Sequence, residues 1–363
     1  MATNENTEQG IFDLIDVVTA LPAAKRRLFD RIYDVEIADA HLKVPQAMAP
    51  WVERTFGVVS SVETQRIVRV SNKVIGEGTL FNGLRARRPV RPTLRAEADF
   101  SAELVDDAWA DPLRNTPEDP FGRLSNDHAI TAANVAKYDA LHSILVFKEP
   151  DPLAFTEESV VAQVRLASEW LATAHAHDPR AAYPYLMWNC LWRSGGSIVH
   201  GHSQVSLARG RHYAKIERLR SDTAAYRSQH DANLFDDLWA VHQSLGLAQE
   251  VTGVRVLVHL TPLKEKEVVL VAPALDDRAA FAIYWTLSRF RDRLGVRSFN
   301  MGALMPPLGV ASEDWTGFPV VIRIVDRGDL STRTSDIGGM EMFAEPVVAA
   351  DPFQVYRALT EDG

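Results

Sequence analysis

A stretch of eleven residues near the middle of the chain constrains its fold and its chemistry most. It reads Ser-Gly-Gly-Ser-Ile-Val-His-Gly-His-Ser-Gln and occupies positions 194–204. Side chains of an extended strand alternate between its two faces, so His200, His202 and Gln204 would share one face. The pattern therefore predicts a strand that brings three polar side chains to one place.

The glycines before the histidines suit a site for an anion. Gly195 and Gly196 lie between two serines, and glycine allows backbone N–H groups to come close to a bound phosphate. An imidazole beside such a turn can attack phosphorus and carry a nucleotidyl group as a covalent intermediate. Two other interpretations stay open from the residues alone. A histidine can simply be packed in the core, and a His-x-His pair can bind zinc if further ligands are supplied elsewhere.

These residues resemble the active-site signature of galactose-1-phosphate uridylyltransferase, a branch of the histidine-triad superfamily. The resemblance rests on Asn189, the Ser-Gly-Gly-Ser turn and the His-Gly-His-Ser-Gln run, with the family's spacing between them. It implies that His202 is the nucleophile and that Gln204 holds a non-bridging oxygen of the transferred phosphoryl group. It also implies that Ser197 contacts the other phosphate. The remaining signature residues expected in the site are His200, Asn189, Gly195 and Gly196.

Three further segments resemble elements of the same family, in the same order. The run Arg85-Ala86-Arg87-Arg88-Pro89 is similar to an Arg-x-x-Arg-Pro element, which implies that Arg85 and Arg88 bind substrate phosphate. A solvated basic turn is the other interpretation of this run. Asn126 and Asp127 end a segment similar to the one that binds base and ribose, although Asn-Asp is also a good turn pair. Glu341, in Gly-Met-Glu-Met-Phe-Ala-Glu, takes the place of a glutamate that binds sugar hydroxyls.

The chain departs from the family at its metal sites. The family's structural zinc uses a Cys-x-x-Cys pair, a histidine after Pro-Asp and the first histidine of the signature. Here Cys190 is the only cysteine, and Pro150-Asp151 is followed by Pro152. The family's Trp-His-Trp-His strand has no histidine in this chain, and Val347 replaces a sugar-binding glutamine. We therefore predict no metal and no cofactor, and an altered sugar pocket.

Composition excludes several classes of protein. The chain has 363 residues, of which 46% are hydrophobic and 24% charged, and its net charge is −9. An acidic chain is a poor polyanion binder, so we expect no nucleic-acid partner. No apolar run reaches the roughly 18 residues of a membrane span, and the single cysteine excludes a disulfide framework. The prediction is a cytoplasmic protein without a membrane partner, and a homodimer is a further expectation.

Hydrophobic periodicity predicts an α+β fold with three parts. Residues 1–62 are expected to form a helical extension, residues 63–225 an N-terminal catalytic half and residues 226–363 a C-terminal half. Each half contains antiparallel strands and a helix that packs on them, in a weakly repeated order. The resemblance implies two fused histidine-triad-like halves, of which only the first keeps the reactive histidine. His142, in the run Leu141–Phe147, is interpreted as a core histidine.

The predicted function is nucleotidyl transfer by double displacement. His202 would attack the α-phosphorus of a nucleoside diphosphate sugar, and a sugar phosphate or phosphate would be the acceptor. The attacking imidazole must be neutral, so its other nitrogen should be fixed by a hydrogen bond to a backbone carbonyl in the turn. Two alternatives stay open. The chain can be a phosphorylase of a dinucleoside polyphosphate or nucleotide sugar that uses the same histidine, or a nucleotide-binding protein without turnover.

Overall fold

The computed structural model describes residues 9–87, 104, 107, 109–332 and 334–361. Eleven α-helices lie in these ranges, and none of them combines the length and the apolar character needed to cross a membrane. The helices are α1 (Leu14–Ala20), α2 (Ala23–Ile32), α3 (Ala49–Phe56), α4 (Val59–Glu63), α5 (Pro112–Asn115), α6 (Glu157–His177), α7 (Ala214–His230), α8 (Leu234–Ser244), α9 (Asp277–Asp292), α10 (Gly339–Phe343) and α11 (Pro352–Thr360).

The same ranges contain thirteen strands. They are β1 (Tyr33–His41), β2 (Thr64–Asn72), β3 (Glu77–Phe81), β4 (Ala129–Ala133), β5 (Leu141–Phe147), β6 (Ala181–Cys190), β7 (His202–Arg209), β8 (Ala248–Val251), β9 (Val254–Val258), β10 (Val268–Ala272), β11 (Phe299–Leu304), β12 (Val320–Asp326) and β13 (Val347–Val348). His200 thus lies just before the strand that the sequence predicts to contain it.

The strands form two sheets, and the larger one shows the two fused halves. Its nine strands have the order β4-β5-β7-β6-β11-β12-β10-β9-β8, and all its pairings are antiparallel. The order β4-β5-β7-β6 is repeated as β9-β10-β12-β11, and each unit has one helix, α6 or α9, between its second and third strands. The halves meet where β6 pairs with β11. This arrangement confirms the predicted α+β fold and joins both halves in one sheet.

The N-terminal segment differs from the prediction of a purely helical extension. β1 pairs along its whole length with β2, from Tyr33 opposite Asn72 to His41 opposite Thr64. With β3 and the short β13 it forms the four-stranded sheet. Helix α2 ends at Ile32 and β1 begins at the next residue, so no glycine or proline marks the change in the sequence. β2 and β3 pair antiparallel as a hairpin.

The segment between β3 and β4 contains a short helix. Asp111 caps α5, because its carboxylate accepts a hydrogen bond from the Arg114 backbone N–H. Residues 88–103 of this segment lie outside the described residues. Further along the chain, reciprocal hydrogen bonds between Thr156 and Ser159 fix the beginning of α6.

The large sheet is covered differently on its two faces. Helices α6 and α9 pack on one face, over a core that includes Leu145 and Ile322. On the other face the four-stranded sheet covers the C-terminal half, and its Val68 belongs to one core cluster with Val269 and Val321. The N-terminal half presents β5, β7 and β6 on that same second face. This is the face on which the histidine strand places its polar side chains.

A buried ion pair joins the two sheets. Arg323 on β12 donates hydrogen bonds to Glu77 on β3 (2.5 Å) and to Glu267 (2.5 Å). Although burial alone would raise it, the Arg323 guanidinium lowers the pKa of Glu77 to about 2. Paired residues on neighbouring strands share a face, so the row Gln204, Met187, Gly302 and Arg323 continues from the histidine strand to this ion pair.

Candidate functional site

His202 is the first residue of β7 and is held in one tautomer. It is 6% exposed, and it lies opposite Val146 of β5. Its Nδ1 atom is 2.8 Å from the backbone carbonyl oxygen of His200. A carbonyl can only accept, so Nδ1 carries the proton and Nε2 keeps a lone pair. The hydrogen bond is of the kind that the sequence argument requires for a nucleophile.

The surroundings of His202 also keep the ring neutral. Burial lowers its pKa below the ordinary value for histidine, and the nearby His200 acts in the same direction. The hydrogen bond to the His200 carbonyl opposes this shift without overcoming it. At neutral pH the ring therefore has an unprotonated Nε2, which is the form that can attack phosphorus.

Gln204 is oriented by two donors. Its Oε1 atom accepts from the Tyr138 hydroxyl (3.1 Å) and faces Nε2 of His142 (3.0 Å). The Tyr138 backbone N–H points at Nδ1 of His142 (3.4 Å), and a proton on Nε2 satisfies this contact together with the shorter one to Gln204. The Asn134 amide nitrogen also lies 3.4 Å from this Nε2. With Oε1 occupied, the Gln204 amide N–H groups are left to donate to an anion. His142 is fully buried, as predicted, but it also serves this site.

His200 is held by a different set of partners. Its Nε2 atom is 2.6 Å from the Phe147 carbonyl oxygen, and its Nδ1 atom contacts the Asp107 carboxylate. Both partners are acceptors, so both ring nitrogens are placed to donate, and the doubly protonated ring forms an ion pair with Asp107. The ring of Trp109 lies edge to face with His202, with ring centroids 4.8 Å apart.

These contacts do not fit the zinc site that the resemblance implies. Both nitrogens of His200 face acceptor oxygens, those of the Asp107 carboxylate and the Phe147 carbonyl, so neither is directed at a metal position. The Cys190 thiol is buried, and it donates to the backbone carbonyl oxygens of Pro152 (3.9 Å) and Arg297 (3.8 Å). No group of three or more His, Cys, Asp or Glu side chains in the described ranges is arranged to hold a metal ion.

The glycine turn is built tightly against the end of β6. Leu191 has φ 65° and ψ 175°, a backbone conformation found almost only in glycine, and its carbonyl accepts from the N–H groups of Ser194 and Gly196. A Cβ on Gly196 would lie 3.0 Å from the carbonyl oxygens of Asn189 and Leu191, so only glycine fits. Gly195 has φ 90°, and Gly195 and Ser197 are exposed at the tip of the turn.

A polar network leads from the turn into the C-terminal half. Asn300 on β11 donates to Oδ1 of Asn189 (2.6 Å) and to the Ser194 carbonyl (2.9 Å), and it accepts from Arg327. Arg327 in turn makes a two-pronged ion pair with Asp336, at 2.7 and 2.9 Å. The predicted site residue Asn189 is thus fixed by the second half of the chain.

Two further predicted residues, Asn126 and Asp127, differ in what surrounds their side chains. The Asn126 side chain holds its own turn, accepting from the His128 and Ala129 N–H groups (3.0 Å each) and donating to the Ala162 carbonyl (2.7 Å). Asp127 beside it is exposed.

Two more predicted residues and a large cleft lie on other elements of the chain. The Glu341 carboxylate caps α10 through the Gly338 N–H (2.8 Å). Arg85 is exposed in a 3₁₀ turn, and Arg88 lies outside the described residues. A cleft of about 1230 Å³ is lined in part by residues 294–297 and 328–331, and its lining includes none of the histidine strand.

Sequence reasoning missed several residues that complete the site. These are Asp107, Trp109, Tyr138, Asn300, Arg327 and Asp336, which come from loops and strands distant in sequence. The sequence analysis gave no signal for any of them. Their convergence depends on the pairing of the strands.

The fold is similar to those of solved structures with distant sequences. An ADP-glucose phosphorylase from Arabidopsis thaliana with bound ADP-glucose matches with a TM-score of 0.62 at 13% identity, over 81% of this chain and 98% of that chain. A GalT-like protein from the same plant matches at 0.56 and 13%, over 70% and 91%. A uridylyltransferase matches at 0.56 and 12%, over 81% and 97%. No protein-family model and no curated protein sequence matches the chain. The chain therefore has the uridylyltransferase-like fold.

Proposed function

We propose that this chain transfers a nucleotidyl group through a covalent bond to Nε2 of His202. One observation carries the proposal: a buried, neutral histidine whose Nδ1 proton is fixed on the His200 carbonyl, beside a glutamine amide turned toward the same face. A histidine that only packs in a core needs no such orientation of its neighbour. A covalent nucleotidyl-histidine intermediate divides one difficult displacement into two easier ones.

In the first step the Nε2 lone pair attacks the α-phosphorus of a nucleoside diphosphate sugar in line with the leaving oxygen. The N–P bond forms as the P–O bond breaks, and the electron pair leaves on the sugar 1-phosphate. The Gln204 amide N–H groups donate to the phosphoryl oxygens as their charge shifts. The N–H groups of Ser194, Gly195 and Gly196 instead donate to carbonyl oxygens of the turn itself. The Nδ1–H group of His202 stays hydrogen-bonded to the His200 carbonyl throughout.

In the second step an oxygen of the acceptor attacks the same phosphorus from the side the first leaving group occupied. The new P–O bond forms as the N–P bond breaks, and the lone pair returns to Nε2. Two inversions give net retention at phosphorus. Neither step requires a metal ion, and the residues around His200 do not provide a zinc site.

The acceptor divides the main proposal from its alternative. Two of the structures with this fold are named a phosphorylase and a uridylyltransferase. A sugar 1-phosphate acceptor would make the chain a hexose-1-phosphate uridylyltransferase-like enzyme of carbohydrate metabolism, and inorganic phosphate would make it a phosphorylase. Binding of base and sugar by Asp127 and Glu341, binding of phosphate by Arg85 and Arg88, a cytoplasmic location and a homodimer stay predictions.

The test is the formation of a covalent nucleotidyl-protein, read by intact mass after mixing with UDP-, ADP-, GDP- and CDP-sugars. The wild-type chain should gain one nucleotidyl group from at least one of them, and His202→Gly should gain none because the attacking nitrogen is gone. His41→Gly is a matched control, since His41 is also the terminal residue of a strand and is exposed. Labelling of the His202→Gly variant would refute the proposal, and so would a wild type that binds nucleotide without being labelled.

The labelled protein then identifies the acceptor. Inorganic phosphate and hexose 1-phosphates are added separately, and loss of the label is followed by mass. Release by phosphate with formation of a nucleoside diphosphate supports the phosphorylase alternative. Release by a hexose 1-phosphate with formation of a nucleotide sugar supports the transferase.

A further inference from the structure

The carboxylate of Asp107 makes two contacts that link a loop to the histidine strand. One oxygen contacts Nδ1 of His200, and the other accepts the Trp109 backbone N–H at 2.9 Å. The side chains of Asp107 and His200 are only 5% and 4% exposed. Two charged groups removed from water are tolerated in a fold when they are paired with each other and hydrogen-bonded.

We propose that the Asp107–His200 ion pair positions the nucleophile, in the place where the resemblance puts a zinc ion. This inference rests on the proposed function, because it assigns Asp107 and His200 as positioning residues for His202. The pair fixes the His200 ring, whose Nε2 donates to the Phe147 carbonyl at 2.6 Å. The His200 backbone is thereby held so that its carbonyl accepts the hydrogen bond from Nδ1 of His202.

A continuous chain of contacts leads from Asp107 to the His202 ring. Asp107 fixes the His200 ring, the ring fixes its own backbone against β5, and the backbone carbonyl fixes the His202 tautomer at 2.8 Å. A zinc ion held by His200 would fix the same backbone from the same ring. The ion pair supplies this rigidity from two side chains of the chain itself.

The same carboxylate also places Trp109 over the nucleophile. The indole ring stands nearly perpendicular to the His202 ring, at 89°, with centroids 4.8 Å apart, and it packs with the small cluster of Ile144 and Val146 on the site's face. Apolar cover of this kind keeps water from the imidazole and favours its neutral form. Loss of the Asp107 carboxylate would therefore loosen both the tautomer and the cover.

The test compares Asp107→Asn with Asp111→Asn. Asn at position 107 keeps the shape but removes the charge that pairs with His200. Asp111 lies four residues away, is exposed and caps α5, where asparagine caps equally well, so its variant removes the same charge without touching the site. The first readout is the nitrogen NMR spectrum of ¹⁵N-labelled histidines at pH 7, which needs no activity. The second is the rate of labelling at saturating nucleotide sugar and the substrate concentration for half-maximal rate.

In wild type we expect His200 protonated on both nitrogens and His202 protonated on Nδ1 alone. Asp107→Asn should shift both signals and slow labelling about tenfold or more, the range seen when a partner that orients a reactive ligand is removed. The half-saturating concentration should change by less than about twofold, since the pair does not contact substrate. Asp111→Asn should match wild type in every measurement. If Asp107→Asn does not fold, Asp107→Glu, which keeps the charge on a longer arm, should show the same changes to a smaller degree.

Unchanged histidine signals in the Asp107 variants would overturn the proposal. If a nucleotide sugar labels wild type, an Asp107→Asn labelling rate equal to that of wild type would overturn it as well. Stoichiometric, chelator-resistant zinc in the wild-type protein that is lost in Asp107→Asn would also overturn it, because the two residues would then be metal ligands. If the NMR result is as expected but no nucleotide sugar labels wild type, the ion pair stands and the proposed function fails.

Discussion

Replacement of Gln204 by glutamate tests whether its amide faces the transferred phosphate. The two donors that hold Oε1, at 3.0 and 3.1 Å, would hold one oxygen of a glutamate in the same way and would favour its ionised form. The other oxygen would then replace the amide N–H groups. The variant exchanges a donor for a negative charge at a point where the substrate is negative, with almost no change in shape.

The expected loss of transition-state stabilisation has two parts. A hydrogen bond to a charged group contributes about 1.5–3 kcal/mol. Two like charges about 4 Å apart repel by about 4 kcal/mol at the effective dielectric constant of a site near the surface. Gln204 is partly exposed, which screens the second part. Since about 1.4 kcal/mol is a factor of ten, we expect labelling of Gln204→Glu to be about a thousandfold slower than that of wild type.

The assay is the initial rate of covalent labelling by mass, at a concentration of nucleotide sugar well below saturation. Gln204→Met removes the donor without adding charge and should lose about 10- to 100-fold. Gln243→Glu, on the exposed side of α8, adds the same charge outside the site and should label like wild type. A Gln204→Glu rate within about threefold of wild type would show that the amide does not meet the phosphate.

Three further predictions concern pH, the turn and stability. Labelling should be constant above pH 7 and fall only below about pH 6.5, because burial lowers the pKa of His202 and only the neutral ring attacks; an acid limb centred above pH 7 in a pH–rate profile would contradict this. Gly196→Ala should destabilise the fold by about 1–3 kcal/mol in urea unfolding and slow labelling, since its Cβ meets two carbonyl oxygens at 3.0 Å. Arg323→Met should lower the free energy of unfolding by about 3–5 kcal/mol, because it leaves Glu77 and Glu267 buried without their partner; a loss below 1 kcal/mol would mean that the pair is dispensable.

The local chemistry of the site was accessible from the sequence. Alternation along a strand was enough to group His202 with Gln204, and the glycine run was enough to predict a tight turn before them. Even the need for a backbone carbonyl on the second nitrogen follows from the chemistry of imidazole. In the fold, hydrophobic periodicity was enough to predict antiparallel strands and a packed helix in each half.

Other features depended on strand pairing between distant segments. Asn300 reaches Asn189 because β11 pairs with β6, which joins the two halves in one sheet. Nothing in the local sequence of either strand specifies that pairing. The strand β1 was hidden for a different reason, since it follows α2 directly and only part of one face is buried.

The sequence by itself therefore determined the residue types that can do chemistry and the short-range geometry that groups them, because both depend on neighbours within a few positions. Only the tertiary structure decided how His200 is used. Its ring nitrogens are committed by Asp107, 93 positions away, and by Phe147, 53 positions away. A histidine can bind a metal, donate two hydrogen bonds or attack phosphorus, and its use depends on which groups the folded chain brings to its two nitrogens. Those groups come from other strands and loops.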